Sequence, residues 1–172
     1  VVVSMGTGTA YLHATNTSIK HIIGSGVGGG TLVGLANSVI HVADAQKLSD
    51  MATLGDINHV DLTIGDISKS EIPGLPMDTT ASNFGKVSDD LTKEDIVVGI
   101  MNLVYQSIGT MSVLAAKNSN LTDIVLTGQL TSMPQCYETS KAFSELYKLN
   151  FIVPDDAVFA TAIGSCIVGD NE

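Results

Sequence analysis

Three short apolar segments separated by turn residues open the chain, and this order constrains the fold more than any other feature. Val1 to Met5, Ala10 to Ala14 and Ser18 to Ile23 have the length and apolar content of β-strands. Gly6 to Thr9 and Thr15 to Thr17 supply the turns between them. Because short turns join antiparallel neighbours, the segments predict a three-stranded antiparallel meander.

After the meander the period of the apolar residues changes. Thr31 to Ile40 has helical spacing, and Asp44 to Leu54 fits a second helix with Asp44 as its N-cap. Asn58 to Ile67 is predicted as a weaker third helix. The proline-containing segment from Ser68 to Ser82 is predicted as an irregular loop.

Thr92-x-x-Asp95 is a capping-box pattern, which predicts the start of a long helix ending near Asn118. The remaining segments alternate between strand and helix: Asp123 to Thr127, Gln135 to Tyr147, Asn150 to Val153 and Phe159 to Val168. The late strands need helical crossovers and should lie parallel in the sheet. The predicted class is therefore α/β, with a three-strand meander followed by α-β-α-β-α and inserted helices after the third strand. This is the order of a ribonuclease-H-like α/β unit.

Two glycine clusters, Gly6 to Thr9 and Gly24 to Thr31, are the strongest functional signal. Eight of the 17 glycines fall between Gly6 and Gly34. Backbone amides in such runs can surround an anion, most effectively where a loop opens a helix, which favours a phosphate-binding surface. The structural alternatives are a plain hairpin turn for the first cluster and close helix packing for the second.

A dinucleotide fingerprint is the rival functional interpretation of the second cluster. Gly24, Gly26 and Gly29 satisfy G-x-G-x-x-G, and Asp44 follows about 20 residues later. The preceding strand belongs to a meander, however, and Asp44 lies between helical segments, so this interpretation is disfavoured.

Charge and composition exclude several classes of partner. The net charge is −10, and all eight basic residues are lysines. A nucleic-acid groove and an anionic membrane surface are therefore not expected, whereas a small anionic ligand can be bound by amides. Two widely spaced cysteines and the lack of ~18 consecutive apolar residues indicate a cytoplasmic protein without a membrane span. The start at Val1, without methionine, suggests that polypeptide upstream is missing.

Several motifs are similar to those of the type II and eukaryotic-like pantothenate kinases. They begin with the runs Met5 to Thr9 and Ile22 to Leu35. Collinear matches follow at Thr80 to Gly85, Ile108 to Thr110, Ile124 to Gly128 and Ala162 to Gly164. Taken together, they resemble the carboxy-terminal half of that family.

The resemblance implies a member of the acetate/sugar kinase, chaperone ATPase and actin superfamily. Such kinases use ATP and Mg²⁺ to phosphorylate pantothenate, the first step towards coenzyme A, in an active site between two lobes. Residues 1–172 would form the carboxy-terminal lobe, which in relatives also carries homodimer contacts. The amino-terminal lobe with its general base is expected to be absent, so no catalytic residue and no metal ligand is assigned to this chain.

Carried over by motif, one group of residues is expected to contact the nucleotide: Gly6, Thr7, Gly8, Gly28, Gly29, Gly30, Thr31, Leu32, Val33 and Gln129. Thr7 and His21 are expected to face the acceptor, with His21 standing where relatives have an arginine. Imidazole cannot make the bidentate contact of a guanidinium, so two alternatives stay open. They are a kinase with a different acceptor and a non-catalytic, nucleotide-binding pseudokinase.

Two further expectations come from the residues alone. Asp56, Asp61 and Asp66 recur every five residues, which places them on different helix faces and favours a solvated acidic surface over a metal cluster. Gly109 lies inside the long predicted helix, where it costs ~1 kcal/mol relative to alanine. We therefore expect it to permit close approach of another backbone or of a ligand.

Overall fold

The computed structural model describes residues 1–169 of the chain. These residues form two units, one made of Val1–Thr31 with the chain from Gln106 onward, the other of Leu32–Tyr105. Two helices, α1 (Gly29–Ile40) and α4 (Lys93–Asn118), begin in one unit and end in the other.

The first unit contains a five-stranded sheet. Its strands are β1 (Val2–Met5), β2 (Thr9–Ala14), β3 (Ile19–Ser25), β6 (Asp123–Thr127) and β7 (Asn150–Ile152). The order is β3-β2-β1-β6-β7. β1, β2 and β3 are antiparallel neighbours, whereas β1 with β6 and β6 with β7 are parallel. The predicted mixed α/β class, the meander and the parallel late strands are confirmed.

Helices α5 (Pro134–Tyr147) and α6 (Ala160–Gly169) follow β6 and β7 in the chain. Both agree with the predicted segments. Each is preceded by a 3-10 turn, Gln129–Ser132 before α5 and Ala157–Phe159 before α6. The final helix therefore begins one residue later than its apolar pattern suggested.

The core of the first unit is apolar around one buried tyrosine. Tyr11 is fully buried, its hydroxyl donates to the Ile108 carbonyl at 3.4 Å, and burial raises its pKa to about 12. A Cβ on Gly109 would lie 2.7 Å from the Phe143 ring. The close approach expected at Gly109 is real, but its partner is an aromatic side chain rather than backbone or ligand.

The second unit is built from short elements. α1 is followed by α2 (Ala45–Ala52), and the Asp44 carboxylate accepts the Lys47 amide at 2.7 Å as the predicted N-cap. The remaining elements are a 3-10 turn (Ile57–His59), β4 (Leu62–Thr63), α3 (Ile64–Ile67) and β5 (Thr80–Ser82).

The single helix predicted over residues 58–67 is wrong. Thr63 and Asp66 form a capping box in which each side chain bonds the other's backbone amide, so a new helix starts at Ile64. The segment before it is extended and pairs with β5 as an antiparallel ribbon. The predicted loop over residues 68–82 therefore ends in a strand.

The long helix α4 begins as predicted. The Asp95 amide donates to the Thr92 hydroxyl at 3.1 Å, and the Thr92 amide donates to the Asp95 carboxylate at 3.2 Å. By length and composition alone this helix could cross a membrane, but more than half of its most apolar window is buried within the protein. Such burial is typical of a core helix, although Leu114 near its end is 62% exposed.

Candidate functional site

The two glycine clusters meet in the first unit. The Gly29 amide donates to the Gly6 carbonyl and the Gly30 amide to the Thr7 carbonyl, both at 2.9 Å. These amides belong to the first turn of α1, where backbone donors have no partner within the helix. The first glycine loop therefore caps the N-terminus of α1, the helix that follows the second glycine loop.

This contact itself requires glycine. A Cβ on Gly28 would lie 2.7 Å from the Thr7 carbonyl oxygen, and one on Gly8 would lie 2.7 Å from the Ser25 carbonyl oxygen. Both neighbours are backbone atoms that cannot move aside without separating the loops. Close packing, the structural alternative for the second cluster, thus accounts for Gly28 without any ligand. It also accounts for Gly8, for which the sequence suggests a plain hairpin turn as the alternative.

Free donors remain at the tip of the first loop. Within residues 1–169, the amides of Thr7 and Gly8 and the Thr7 hydroxyl make no hydrogen bond. Thr7 is exposed, and the loop follows the carboxyl end of β1. The amides of Gly29 and Gly30, by contrast, already donate to the Gly6 and Thr7 carbonyls.

Hydroxyl groups hold the carbonyls of the second loop. The buried Thr9 hydroxyl donates to the Val27 carbonyl at 2.8 Å. The Thr31 hydroxyl donates to the Gly26 carbonyl at 2.9 Å and accepts the Gly28 amide at 3.2 Å. Thr31 is also a predicted nucleotide contact, and in this structure its hydroxyl makes both of these hydrogen bonds within the loop.

A third loop lies at the same edge of the sheet, after the neighbouring parallel strand β6. Gly128 has φ +97°, and a Cβ there would lie 2.5 Å from the Met5 carbonyl oxygen. Leu130, two residues on, packs against Gly29. Gln129 between them is exposed, and its side-chain Nε2 group donates to the Ser132 hydroxyl at 3.4 Å. The predicted nucleotide contacts of the first unit are therefore brought together along one edge.

A β-bulge sets the position of His21. Ile23 pairs with Tyr11, but His21 pairs with Leu12, so one residue of β3 is unpaired between them. The bulge turns His21 to the sheet face that carries Gly24. Its Nε2 atom lies 3.8 Å from where a Cβ on Gly24 would stand, at the entrance to the second loop.

Leu32 and Val33, also predicted as nucleotide contacts, lie on α1 in the second unit. Leu32 is fully buried and Val33 half-buried. A contact from Leu32 would therefore use its backbone.

The first 31 residues contain no carboxylate and a single lysine, Lys20. Within residues 1–169 no group of three His, Cys, Asp or Glu side chains could hold a metal ion. The glycine loops therefore offer an anion only dipoles and hydroxyls.

A buried carboxylate in the second unit was missed by the sequence analysis. Asp61 is 1% exposed and accepts hydrogen bonds from Asn102 at 2.7 Å, Asn83 at 3.0 Å and the Phe84 amide at 2.8 Å. The predicted solvated acidic surface is wrong at this position, because three donors from two distant segments replace water.

Comparison with known proteins identifies the family. Residues 1–150 match the model of the Fumble family. The chain is 28% identical over 180 aligned positions to the type II pantothenate kinases of Staphylococcus aureus strains MRSA252 and Mu50, covering 98% of this chain and 65% of each relative. It is 32% identical over 132 positions to that of strain USA300, covering 74% of this chain and 49% of the relative. The chain belongs to the Fumble family, which confirms the family resemblance, whereas the match to its carboxy-terminal half stays a prediction. The chain spans less than two thirds of these relatives' length.

Proposed function

We propose that this chain carries the nucleotide-binding part of an ATP-dependent pantothenate kinase. The reaction transfers the γ-phosphoryl group of ATP to the primary hydroxyl of pantothenate, the first step of coenzyme A biosynthesis. The observation that carries the proposal is the contact between the two glycine loops, which leaves the Thr7 and Gly8 amides unpaired at their edge. The family and the names of the relatives supply the reaction.

The proposed architecture is a ribonuclease-H-like lobe of the actin-like ATPase type. The order β3-β2-β1-β6-β7, with an antiparallel meander and two parallel late strands, supports it. Residues 1–172 would then be the carboxy-terminal lobe of a two-lobe kinase, and the general base would come from the other lobe.

Phosphoryl transfer depends mainly on alignment and on stabilisation of charge. The Thr7 and Gly8 amides and the Thr7 hydroxyl are the donors proposed to face the phosphates. Gly6, Gly28, Gly29, Gly30 and Thr31 would shape the backbone around them, and Gln129 would lie towards the adenosine.

Mg²⁺ usually enters such sites through one or two carboxylates together with the phosphates of the nucleotide. The glycine loops contain no carboxylate, so their residues do not fit a resident metal site. We propose that the ion accompanies ATP and assign it no ligand in this chain.

His21 is proposed to face the acceptor, because the bulge places it beside the second loop. Pantothenate carries a carboxylate, to which an imidazole can offer one hydrogen bond where a guanidinium offers two. We further propose a cytoplasmic homodimer, following the resemblance to relatives.

The test is ADP release by the full-length protein with ATP, Mg²⁺ and either pantothenate or other small primary alcohols. Thr7→Ala should lower kcat by about tenfold or more, as expected for loss of a donor to the transferred group. Thr17→Ala, in the exposed turn between β2 and β3, should leave kcat unchanged. Absence of ADP release with every alcohol would reject the enzyme assignment.

A second candidate is a non-catalytic nucleotide-binding protein on the same fold, favoured by His21 and by the absence of arginine. Calorimetry separates the two. Binding of ATP without phosphoryl transfer to any alcohol supports this candidate, whereas turnover with pantothenate rejects it.

A further inference from the structure

The carbonyl groups of the two glycine loops are almost all engaged. Gly6 and Thr7 accept the first amides of α1, Val27 accepts the Thr9 hydroxyl, and Gly26 accepts the Thr31 hydroxyl. A carbonyl oxygen turned towards an anion opposes its binding, whereas an amide favours it. The arrangement of these carbonyls therefore bears directly on whether the loops can hold an anion.

We propose that Thr9 and Thr31 are positioning residues that fix the second glycine loop by engaging its Val27 and Gly26 carbonyls. This leaves the Thr7 and Gly8 amides as the donors that meet a polyphosphate. The inference rests on the proposed function for the identity of the ligand. The sequence resemblance implied that Thr31 contacts the nucleotide. In the role proposed here, the hydroxyls of Thr9 and Thr31 act on the loop and need not touch the nucleotide.

Thr9 fits this role because its side chain is buried. It is 4% exposed and begins β2, so the sheet holds its hydroxyl in place against the Val27 carbonyl, 18 residues later in the chain. A side chain fixed by the sheet can impose its geometry on a flexible loop.

Thr31 fits the positioning role because its hydroxyl both donates and accepts a hydrogen bond within the loop. The proton goes to the Gly26 carbonyl and a lone pair accepts the Gly28 amide. Together these bonds close the loop on itself just before α1. In this conformation the hydroxyl has no proton to give to a phosphate oxygen.

The experiment compares Thr9→Val and Thr31→Val, which keep the branched shape, with Thr9→Ser and Thr31→Ser, which keep the hydroxyl. Affinity for MgATP is measured by calorimetry on the full-length protein. The valine variants should bind about tenfold more weakly, as loss of one hydrogen bond implies, and the serine variants should bind as the wild type does. Thr161→Val, at an exposed position on α6, is the matched control.

Amide hydrogen exchange of the ligand-free protein gives a second readout that needs no nucleotide. Protection of the amides of residues 28–30 should fall about tenfold in the valine variants and be restored in the serine variants. A chemical denaturation curve for each variant shows that it is folded under the assay conditions.

Three results would overturn the inference: wild-type affinity in both valine variants, equal weakening by serine and valine, or unchanged protection of residues 28–30. If the wild-type protein binds no nucleotide, the proposed function fails, and exchange alone then decides whether these threonines fix the loop.

Discussion

Asn102 donates a 2.7 Å hydrogen bond to the carboxylate of Asp61, 41 residues earlier in the chain. The same amide group donates to the Thr80 hydroxyl at 3.1 Å. Asp61 follows the 3-10 turn, Thr80 begins β5 and Asn102 lies on α4. Asn102 therefore joins three segments of the second unit through one side chain.

Asp61→Asn should destabilise the protein. The carboxylate offers acceptors to three donors, whereas an asparagine offers one oxygen and places an NH₂ group against at least one of them. A buried donor without a partner costs about 1–3 kcal/mol, which should appear in the free energy of unfolding in urea. Asp89→Asn, on the exposed loop before α4, is the control. Equal stability of the two variants would contradict the role assigned to Asp61.

Gly28→Ala and Gly26→Ala should behave differently although both lie in the second loop. A methyl group at residue 28 meets the Thr7 carbonyl, whereas nothing lies within 4 Å of a Cβ at residue 26. We expect a loss of about 1–3 kcal/mol for Gly28→Ala and a small change for Gly26→Ala, measured by denaturation. Weaker nucleotide binding should accompany only the first. If Gly26→Ala lowers the free energy of unfolding as much as Gly28→Ala does, contact with the Thr7 carbonyl is not the reason that residue 28 is a glycine.

Gly109→Ala and Gly164→Ala compare two helical glycines with opposite surroundings. The first would push a methyl group against the Phe143 ring, at a cost of about 1–3 kcal/mol that outweighs the gain in helix propensity. The second faces open space, so it should stabilise α6 by about 0.5–1 kcal/mol. Thermal unfolding should shift down for one and up for the other. A shift in the same direction for both would exclude this explanation.

Stability should fall as the pH drops below 4, partly through Asp95. Hydrogen bonds, above all from the Asp56 amide, lower the pKa of Asp95 from 3.8 to about 2. A carboxylate whose pKa is lower in the folded state stabilises the protein above its unfolded pKa and loses this effect as pH falls through about 2. Asp95→Asn should therefore reduce the slope of unfolding free energy against pH between 4 and 2.

Asp66 contributes to the same pH range, because Lys86 and Thr63 lower its pKa to about 2. The slope should thus be reduced and not abolished by Asp95→Asn. The exposed Asp90, replaced by asparagine, serves as the control. An Asp95→Asn slope identical to that of the wild type would rule out this contribution.

The two cysteines should differ in reactivity. Burial raises the pKa of Cys136 to about 11, whereas Cys166 is exposed on α6. Since the thiolate is the reactive form, a thiol reagent at pH 8 should modify one cysteine per native chain. Cys166→Ser should remove the fast reaction and Cys136→Ser should preserve it. Rapid modification of Cys136 would show that its surroundings open readily.

The elements that sequence predicted well are those fixed by local rules. The capping box at Thr92 and Asp95 starts α4 where expected, and the turns at residues 6–9 and 15–17 produce the meander. The ribbon of β4 and β5 was missed because each strand has only two or three residues, too few to show a period.

The sequence by itself determined the mixed α/β order, the family motifs and the presence of two glycine-rich turns, because each depends on residues close together in the chain. Only the tertiary structure decided what those glycines contact, on which sheet face His21 lies and that Asp61 is buried. These properties depend on atoms brought together from segments far apart in the chain, such as Gly29 with Leu130 and Asp61 with Asn102. No pattern along the chain encodes such distances, since they are set when the elements pack.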